Sequence, residues 1–355
     1  MTVSVLIPAY RPTYLAQTIA SVLAQSFEDF ELVVSDDSLG GEVESVVRRF
    51  SDPRLRYVRT EGGLGAAGNI AALWGEARHD YLQFVFDDDV LLPHALVTLV
   101  AEAQRKPGRS FYFANRYIID ALGRVIAHPR SVRDGKTLLM SKENFRSIAA
   151  KTRNNIGTFS NVLMNRAIGL DENDILHFHG FTVEMNFDVS FYLNASAKAP
   201  AMGVGRAVAS SRRRARQEFE RTPDPRFVKV RSEWELFVRG EYAAGGLTPD
   251  QTLATIDSLD RQYADWAPDW PELRPLQQAL PGFRAKVEAG DQRVLDDEFR
   301  SNWSEVDRLM RDFRNLRPLE ITRRRAPYRP TPPAALSAAD GRIGAMGSSA
   351  SGRSA

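Results

Sequence analysis

Residues 3 to 103 alternate two apolar patterns, and that alternation constrains the fold more than any other feature of the chain. Val3–Ile7, Phe30–Val34, Leu55–Val58 and Tyr81–Phe86 are short β-rich apolar runs, the length and character of strands covered on both faces. Between them lie helical periods. Thr13–Ala24 carries Leu15, Ile19, Val22 and Leu23, and Val43–Phe50, the Ala-rich Ala66–Ala77 and Ala95–Ala103 follow the same logic. Strands alternating with helices predict a mostly parallel sheet with helices on both faces. Ligands on such sheets bind beyond the carboxyl ends of the strands. Three of the strands end in polar or turn-forming residues: Pro8-Ala9-Tyr10, Asp36-Asp37-Ser38 and Asp87-Asp88-Asp89. Topology alone predicts that these endings gather on one rim.

The second half reads differently. Phe111–Ala114 and Tyr117–Ile119 suggest two strands before a turn at Gly123, Val162–Met164 a short strand, and Val183–Ala195 a helix carrying Asp188. From about Gln217 to Leu316 the signals are almost wholly helical, broken at Gly245-Gly246, Pro268 and Pro281-Gly282. Val294, Phe299, Trp303, Val306, Leu309 and Phe313 mark one amphipathic face. The organisation expected is a catalytic domain over 1–215, a helical C-terminal annex over 216–325, and a tail over 326–355 whose Pro, Ala, Ser and Gly content predicts disorder.

Several function classes drop out. The chain has no cysteine, which excludes disulfides, thiol nucleophiles and cysteine-ligated zinc. Its five histidines lack the H-E-x-x-H spacing of a zinc protease. Charges of 47 basic and 45 acidic residues leave a net +2, so no nucleic-acid partner is expected. The N-terminus lacks the pattern of a signal peptide, and no apolar run approaches the ~20 residues that span a bilayer. The expectation is a soluble cytoplasmic protein; contact with the inner membrane surface and self-association stay open.

Three consecutive aspartates after a buried strand are costly unless a cation or hydrogen bonds compensate them. All-oxygen ligands suit Mn²⁺ or Mg²⁺, which bind one or two carboxylates and take their other ligands from a diphosphate and water. The competing reading is a turn whose aspartates cap the helix after Leu91-Leu92-Pro93.

Three motifs, in order and spacing, resemble the family 2 glycosyltransferases, inverting enzymes of the GT-A fold: VSVLIPAYRPTYLAQTIASVLAQSFEDFELVVSDDS, GGLGAAGNIAAL and YLQFVFDDDVLLPHAL. The resemblance covers roughly residues 1–215 and implies transfer of a sugar, carried most commonly by UDP in the family and also by dTDP or GDP, to a glycan or lipid-linked acceptor hydroxyl. It implies that Pro8, Ala9 and Tyr10 lie against the nucleotide, that Arg11 reaches the phosphates, and that Asp37, then Asp36, contacts base or ribose. Gly65 and Asn69 would lie beside the donor. Many members carry D-x-D-D where this chain has Phe86-Asp87-Asp88-Asp89. On that alignment Asp88 binds the metal, Asp89 supports it and Asp87 takes the variable slot, with Asp87 and Asp89 as a plain D-x-D the alternative. The general base required by an inverting transfer falls on Asp188, with Glu184 as fallback. Arg212, Arg213, Arg214 and Arg216 stand where many members have Arg-x-His near the diphosphate. For any one of them a solvated charge is the first expectation. His177 and His179 read as ordinary loop histidines, and Asn154, Asn155 and Ser160 as candidate sugar contacts. Two rivals stay in view: a nucleotidyltransferase, disfavoured because no Gly-rich phosphate loop follows the first strand, and a non-catalytic binding protein of the same fold.

Overall fold

The computed structural model describes residues 1–213 and 225–315. The N-terminal half follows the expected alternation: β1 (Val3–Ala9), α1 (Leu15–Leu23), β2 (Phe30–Asp36), α2 (Glu42–Val47), β3 (Leu55–Arg59), α3 (Gly65–Glu76), β4 (Tyr81–Phe84), β5 (Val90–Leu91) and α4 (Ala95–Arg105). Then come β6 (Phe111–Ile119), β7 (Val125–Ala127), β8 (Thr137–Met140), α5 (Lys142–Ala150), β9 (Val162–Asn165), α6 (Asn173–Leu176), β10 (His177–Phe178), β11 (Phe181–Thr182), α7 (Phe187–Lys198) and β12 (Ala201–Arg212). The C-terminal region is helical: α8 (Pro225–Ala243), α9 (Pro249–Trp266), α10 (Arg274–Glu288) and α11 (Asp297–Asn315).

The main sheet runs β3-β2-β1-β4-β9-β6-β12-β5. β1 pairs in parallel with β2 and β4, and β6 with β12; β9 and β5 run antiparallel to their neighbours. The expected mostly parallel sheet flanked by helices is therefore present. Its apolar strands are continuous because both faces are covered. On β1, Val3, Val5, Ile7 and Ala9 pack with α1 and α4, while Leu6 faces the opposite layer with Ile70, Leu73 and Trp74 of α3. Each such Val, Leu or Ile side chain contributes about 2 kcal/mol when fully buried.

Four expectations change. Phe111–Ile119 is one strand, not two: Asn115 sits inside it fully buried, its amide satisfied by Val132 on both sides, so a polar residue does not break the run. β12, the longest strand, went unseen because its Ala, Gly and Ser residues carry little β-propensity. The α7 helix begins at Phe187, four residues later than expected, because Phe181-Thr182 is taken up by pairing with β10. Pro281 lies inside α10 instead of ending it. The annex has a core of its own and also joins the main one. Trp234, Leu236 and Phe237 of α8 and Phe299 and Trp303 of α11 join the cluster beneath the sheet, while Val228 and Val238 face a second cluster with α9 and α10. The side chain of Phe313 and the expected tail lie outside the described residues.

Candidate functional site

The three strand endings meet on one rim. The Ala9 carbonyl at the end of β1 accepts the Asp37 N–H (3.0 Å) and Asn69 Nδ2 (3.3 Å). Asp87 Oδ2 accepts the N–H groups of Tyr10 (3.0 Å) and Arg11 (2.8 Å). One carboxylate thereby ties the segment after β1 to the turn after β4. Tyr10 leaves its ring exposed on the rim, Arg11 is partly exposed, and Pro8 is buried in β1.

Asp36 and Asp37 are both buried, and each is occupied within the protein. Asp36 Oδ1 accepts the Ser38 N–H (2.8 Å) and hydroxyl (2.6 Å), and Oδ2 accepts the Tyr57 hydroxyl (2.7 Å) and Arg59 Nη1 (3.3 Å). Asp37 Oδ1 accepts the Thr60 hydroxyl (2.8 Å) and the Leu64 N–H (2.9 Å), and Oδ2 the Gly65 N–H (2.9 Å). A carboxylate on these amides satisfies the first turn of α3, where N–H groups lack helical partners and the helix dipole favours negative charge. Gly65 makes the entry at φ +73°, a conformation costly for other residues. Asn69 is buried, and its Oδ1 has no hydrogen-bond partner among the described residues. Such an orphan acceptor is uncommon in a folded interior.

The acidic turn divides its labour. Asp89 is 3% exposed; its Oδ2 accepts the Ser160 hydroxyl (2.6 Å) and its Oδ1 the Arg212 N–H (2.9 Å). Burial, with the neighbouring Asp88 carboxylate, pushes Asp89 up to about 7, while the two donors pull the other way. Asp88 is partly exposed, and its carbonyl accepts Arg212 Nε (3.0 Å). The same guanidinium donates to the carbonyls of Asp120 (3.0 Å) and Ala121 (3.3 Å) and to Gln17 Oε1 (2.7 Å), and it lies 4.1 Å from the centre of the Tyr14 ring. Arg212 is thus a buried brace across the rim, not the solvated charge expected. Arg213 is exposed; Arg214 and Arg216 lie outside the described residues.

Phe86 stands where the common motif has its first acid. Its ring packs on Phe159 (6.5 Å between centroids) and edge-on to Phe187 (6.2 Å). An aromatic contact therefore joins the acidic turn to the start of α7, one residue before Asp188. Asp188 is partly exposed in the first turn of α7; its Oδ2 accepts Asn154 Nδ2 (2.8 Å) and its Oδ1 the Val189 N–H (2.8 Å). Burial pushes its carboxyl up to about 7 against the Val189 N–H and Arg116, which favour the anion. Asn154 and Ser160 hold Asp188 and Asp89 respectively.

Sequence reasoning missed Arg116. It rises from β6, donates to the Ile156 carbonyl (2.6 Å), and lies within electrostatic reach of both Asp188 and Asp89. Gly157 makes room for it: a Cβ there would stand 2.3 Å from Arg116 Nη1, at a φ of +115°. A lone charge inside the apolar run Phe111–Ile119 was the available signal.

The sequence model described as Glycosyl transferase family 2 matches residues 4–168. The GalNAc(5)-diNAcBac-PP-undecaprenol beta-1,3-glucosyltransferase of Campylobacter jejuni is 34% identical over 116 residues, covering 32% of this chain and 37% of that protein. The UDP-Glc:alpha-D-GlcNAc-diphosphoundecaprenol beta-1,3-glucosyltransferase WfgD of Escherichia coli is 30% identical over 142 residues, covering 38% of this chain and 54% of that protein. The chain thus spans about half or less of the length of these two relatives. Among solved structures, S. aureus TarS 1-349 in complex with UDP matches with a TM-score of 0.51 at 16% identity, over 88% of this chain and 92% of that one. The same fragment in complex with UDP-GlcNAc matches at 0.50. At that identity the likeness is one of fold.

Proposed function

We propose that this chain, whose residues 4–168 match the model described as Glycosyl transferase family 2, is an inverting glycosyltransferase acting in surface-polysaccharide synthesis. The donor is a UDP-sugar and the acceptor a hydroxyl of a lipid-linked glycan. One relative's name specifies UDP-Glc, and two relatives' names specify undecaprenol-linked acceptors.

The observation that carries this reading is Asp188. It is a carboxylate pushed up to about 7, on a helix joined through Phe86 to the acidic turn of the donor rim. A base poised near neutral pH suits proton removal from a sugar hydroxyl. In the proposed step Asp188 takes the acceptor proton as the oxygen attacks the anomeric carbon. The bond from that carbon to the diphosphate oxygen breaks, and UDP leaves with the electron pair. Pro8, Ala9, Tyr10, Arg11, Asp37 and Asn69 form the donor's cradle, with the orphan Asn69 Oδ1 open to a donor hydroxyl. Asp36 and Gly65 shape that cradle.

A divalent cation, Mn²⁺ or Mg²⁺, fits the donor set on chemical grounds. Asp88 offers a partly exposed carboxylate, and Asp89 steadies the turn through Ser160 and Arg212. Asp87 Oδ2 is engaged by two backbone amides. Among the described residues no group of three His, Asp or Glu side chains converges as a ready cation site, so Asp88 would share the ion with the diphosphate and water. Bound there, the ion would offset the leaving group's charge.

Among the described residues no helix is long and apolar enough to cross a membrane. Leu122, Val125 and Ile126 are exposed on the β6–β7 hairpin beside Arg124, which supports a peripheral approach to lipid-linked acceptors.

The test is detection of released nucleoside diphosphate from a panel of sugar nucleotides with Mn²⁺, Mg²⁺ or EDTA. Release with a UDP-sugar that EDTA suppresses, and that Asp88→Ala lowers at least about 100-fold, is the expected result. Absence of release or binding with every sugar nucleotide would overturn the reading.

A further inference from the structure

We propose that Glu233, on α8 of the helical annex, is a positioning residue for the general base: its carboxylate fixes the segment Glu184–Asn186 and so sets where Asp188 stands. This rests on the reading of Asp188 as base.

The segment just before α7 is held from α8. Asn186, the residue preceding the helix, makes no side-chain cap bond to it. Instead Glu233 Oε1 accepts the N–H groups of Glu184 (2.6 Å) and Met185 (3.1 Å), and Oε2 accepts the Asn186 N–H (2.6 Å) and Nδ2 (3.1 Å). Three consecutive amides aimed at one anion form a nest. The carboxylate also sits at the positive end of a helix whose second residue is Asp188. Asn186 Nδ2 donates in addition to the Val230 carbonyl (3.0 Å), so both ends of one α8 turn grip the segment.

Glu233 is fully buried, a costly place for a charge without such partners. Lys229, one turn earlier and also fully buried, supplies the compensating charge. Its Nζ donates to Asp307 Oδ1 (2.6 Å) and lies 3.8 Å from the Trp303 ring centre, which anchors α8 on α11. The other buried acids of α8 point elsewhere. Glu235 accepts from Arg239 Nε (2.7 Å) and the Tyr263 hydroxyl (2.8 Å) inside the annex, and Glu241 accepts Arg146 Nε (3.3 Å) from α5. A buried carboxylate whose bonds all end beside the base is placed to control it, so the annex becomes part of the catalytic apparatus.

The charged and titratable groups facing Asp188 are Arg116 from β6, Tyr192 from its own helix and Glu233 from α8, with the Asn154 amide from the preceding loop. Of the two charged neighbours, Arg116 favours the Asp188 anion and Glu233 disfavours it. Removing the Glu233 charge therefore moves the acid limb of the rate profile to lower pH.

The experiment compares Glu233→Gln, Glu233→Asp and Glu241→Gln in the full chain, measuring kcat against pH and UDP affinity. Glu233→Gln should lower kcat about 100-fold, as misplacement of a reacting group by about 1 Å does, with UDP affinity unchanged. Its acid limb should move to lower pH. Glu233→Asp keeps the charge but falls short of the amides, so kcat should fall while the limb stays. Glu241→Gln should leave the limb in place. Wild-type kcat in Glu233→Asp, or an unmoved limb in a folded Glu233→Gln, would overturn the proposal. If Asp188→Asn itself transfers normally, the base reading fails instead, whatever Glu233 does.

Discussion

The proposed donor rim and the proposed base side of this protein are held together by different means. On the rim, acids bind backbone close by in the fold: Asp37 takes the first amides of α3, and Asp87 those of Tyr10 and Arg11. On the base side, Asp188 depends on three distant elements, with Asn154 bonded to it, Arg116 nearby and Glu233 fixing the segment in front. Rigid strand ends suit the nucleotide-diphosphate site proposed there. A base carried by a helix and adjusted from outside suits a site whose acceptor differs between relatives, because that side can change without disturbing the sheet.

The largest effect that sharpens this contrast comes from Asp188→Asn. Transfer should fall about 10²- to 10⁴-fold while UDP binding, measured by calorimetry, stays as in the wild type. Equal loss of both would mean that the two sides are one unit. A smaller effect tests the rim. Arg212→Ala removes a stacked guanidinium and its bonds to Asp88, Asp120, Ala121 and Gln17, and should cost about 2–4 kcal/mol in denaturant unfolding. The exposed neighbour Arg213 should change stability by less than about 0.5 kcal/mol on substitution by Ala. Equal costs at the two positions would remove Arg212 as the brace.

The contrast also explains what the sequence could tell. The rim was legible because its pieces are local: an apolar run long enough for a two-faced strand, then a polar ending, repeated with helices between. The parallel arrangement then puts Tyr10, Asp37 and Asp87 together without further information. The base side was legible only at Asp188, through a family pattern. β12 hides behind small residues that signal no strand, although its end carries Arg212 to Asp89. Glu233 hides for another reason. The helix α8 buries apolar residues on two faces and pairs its buried charges, so it shows no amphipathic period from which an inward-facing acid could be picked out. Phe86 misleads in the opposite direction: it reads as a lost acid and serves as the aromatic joint between the two sides.

In the proposed step Asp188 removes the acceptor proton. Its carboxyl lies at about 7, above the ordinary carboxylate range, because burial disfavours the anion, and only the anion can accept a proton. The rate must therefore rise with pH as that group ionises. The direct measurement is kcat for transfer from a UDP-sugar between pH 5 and 9, followed as released UDP. An acid limb with its midpoint near pH 7 is expected, lost together with activity in Asp188→Asn. A rate flat across that range, or a limb that survives the substitution, would contradict it.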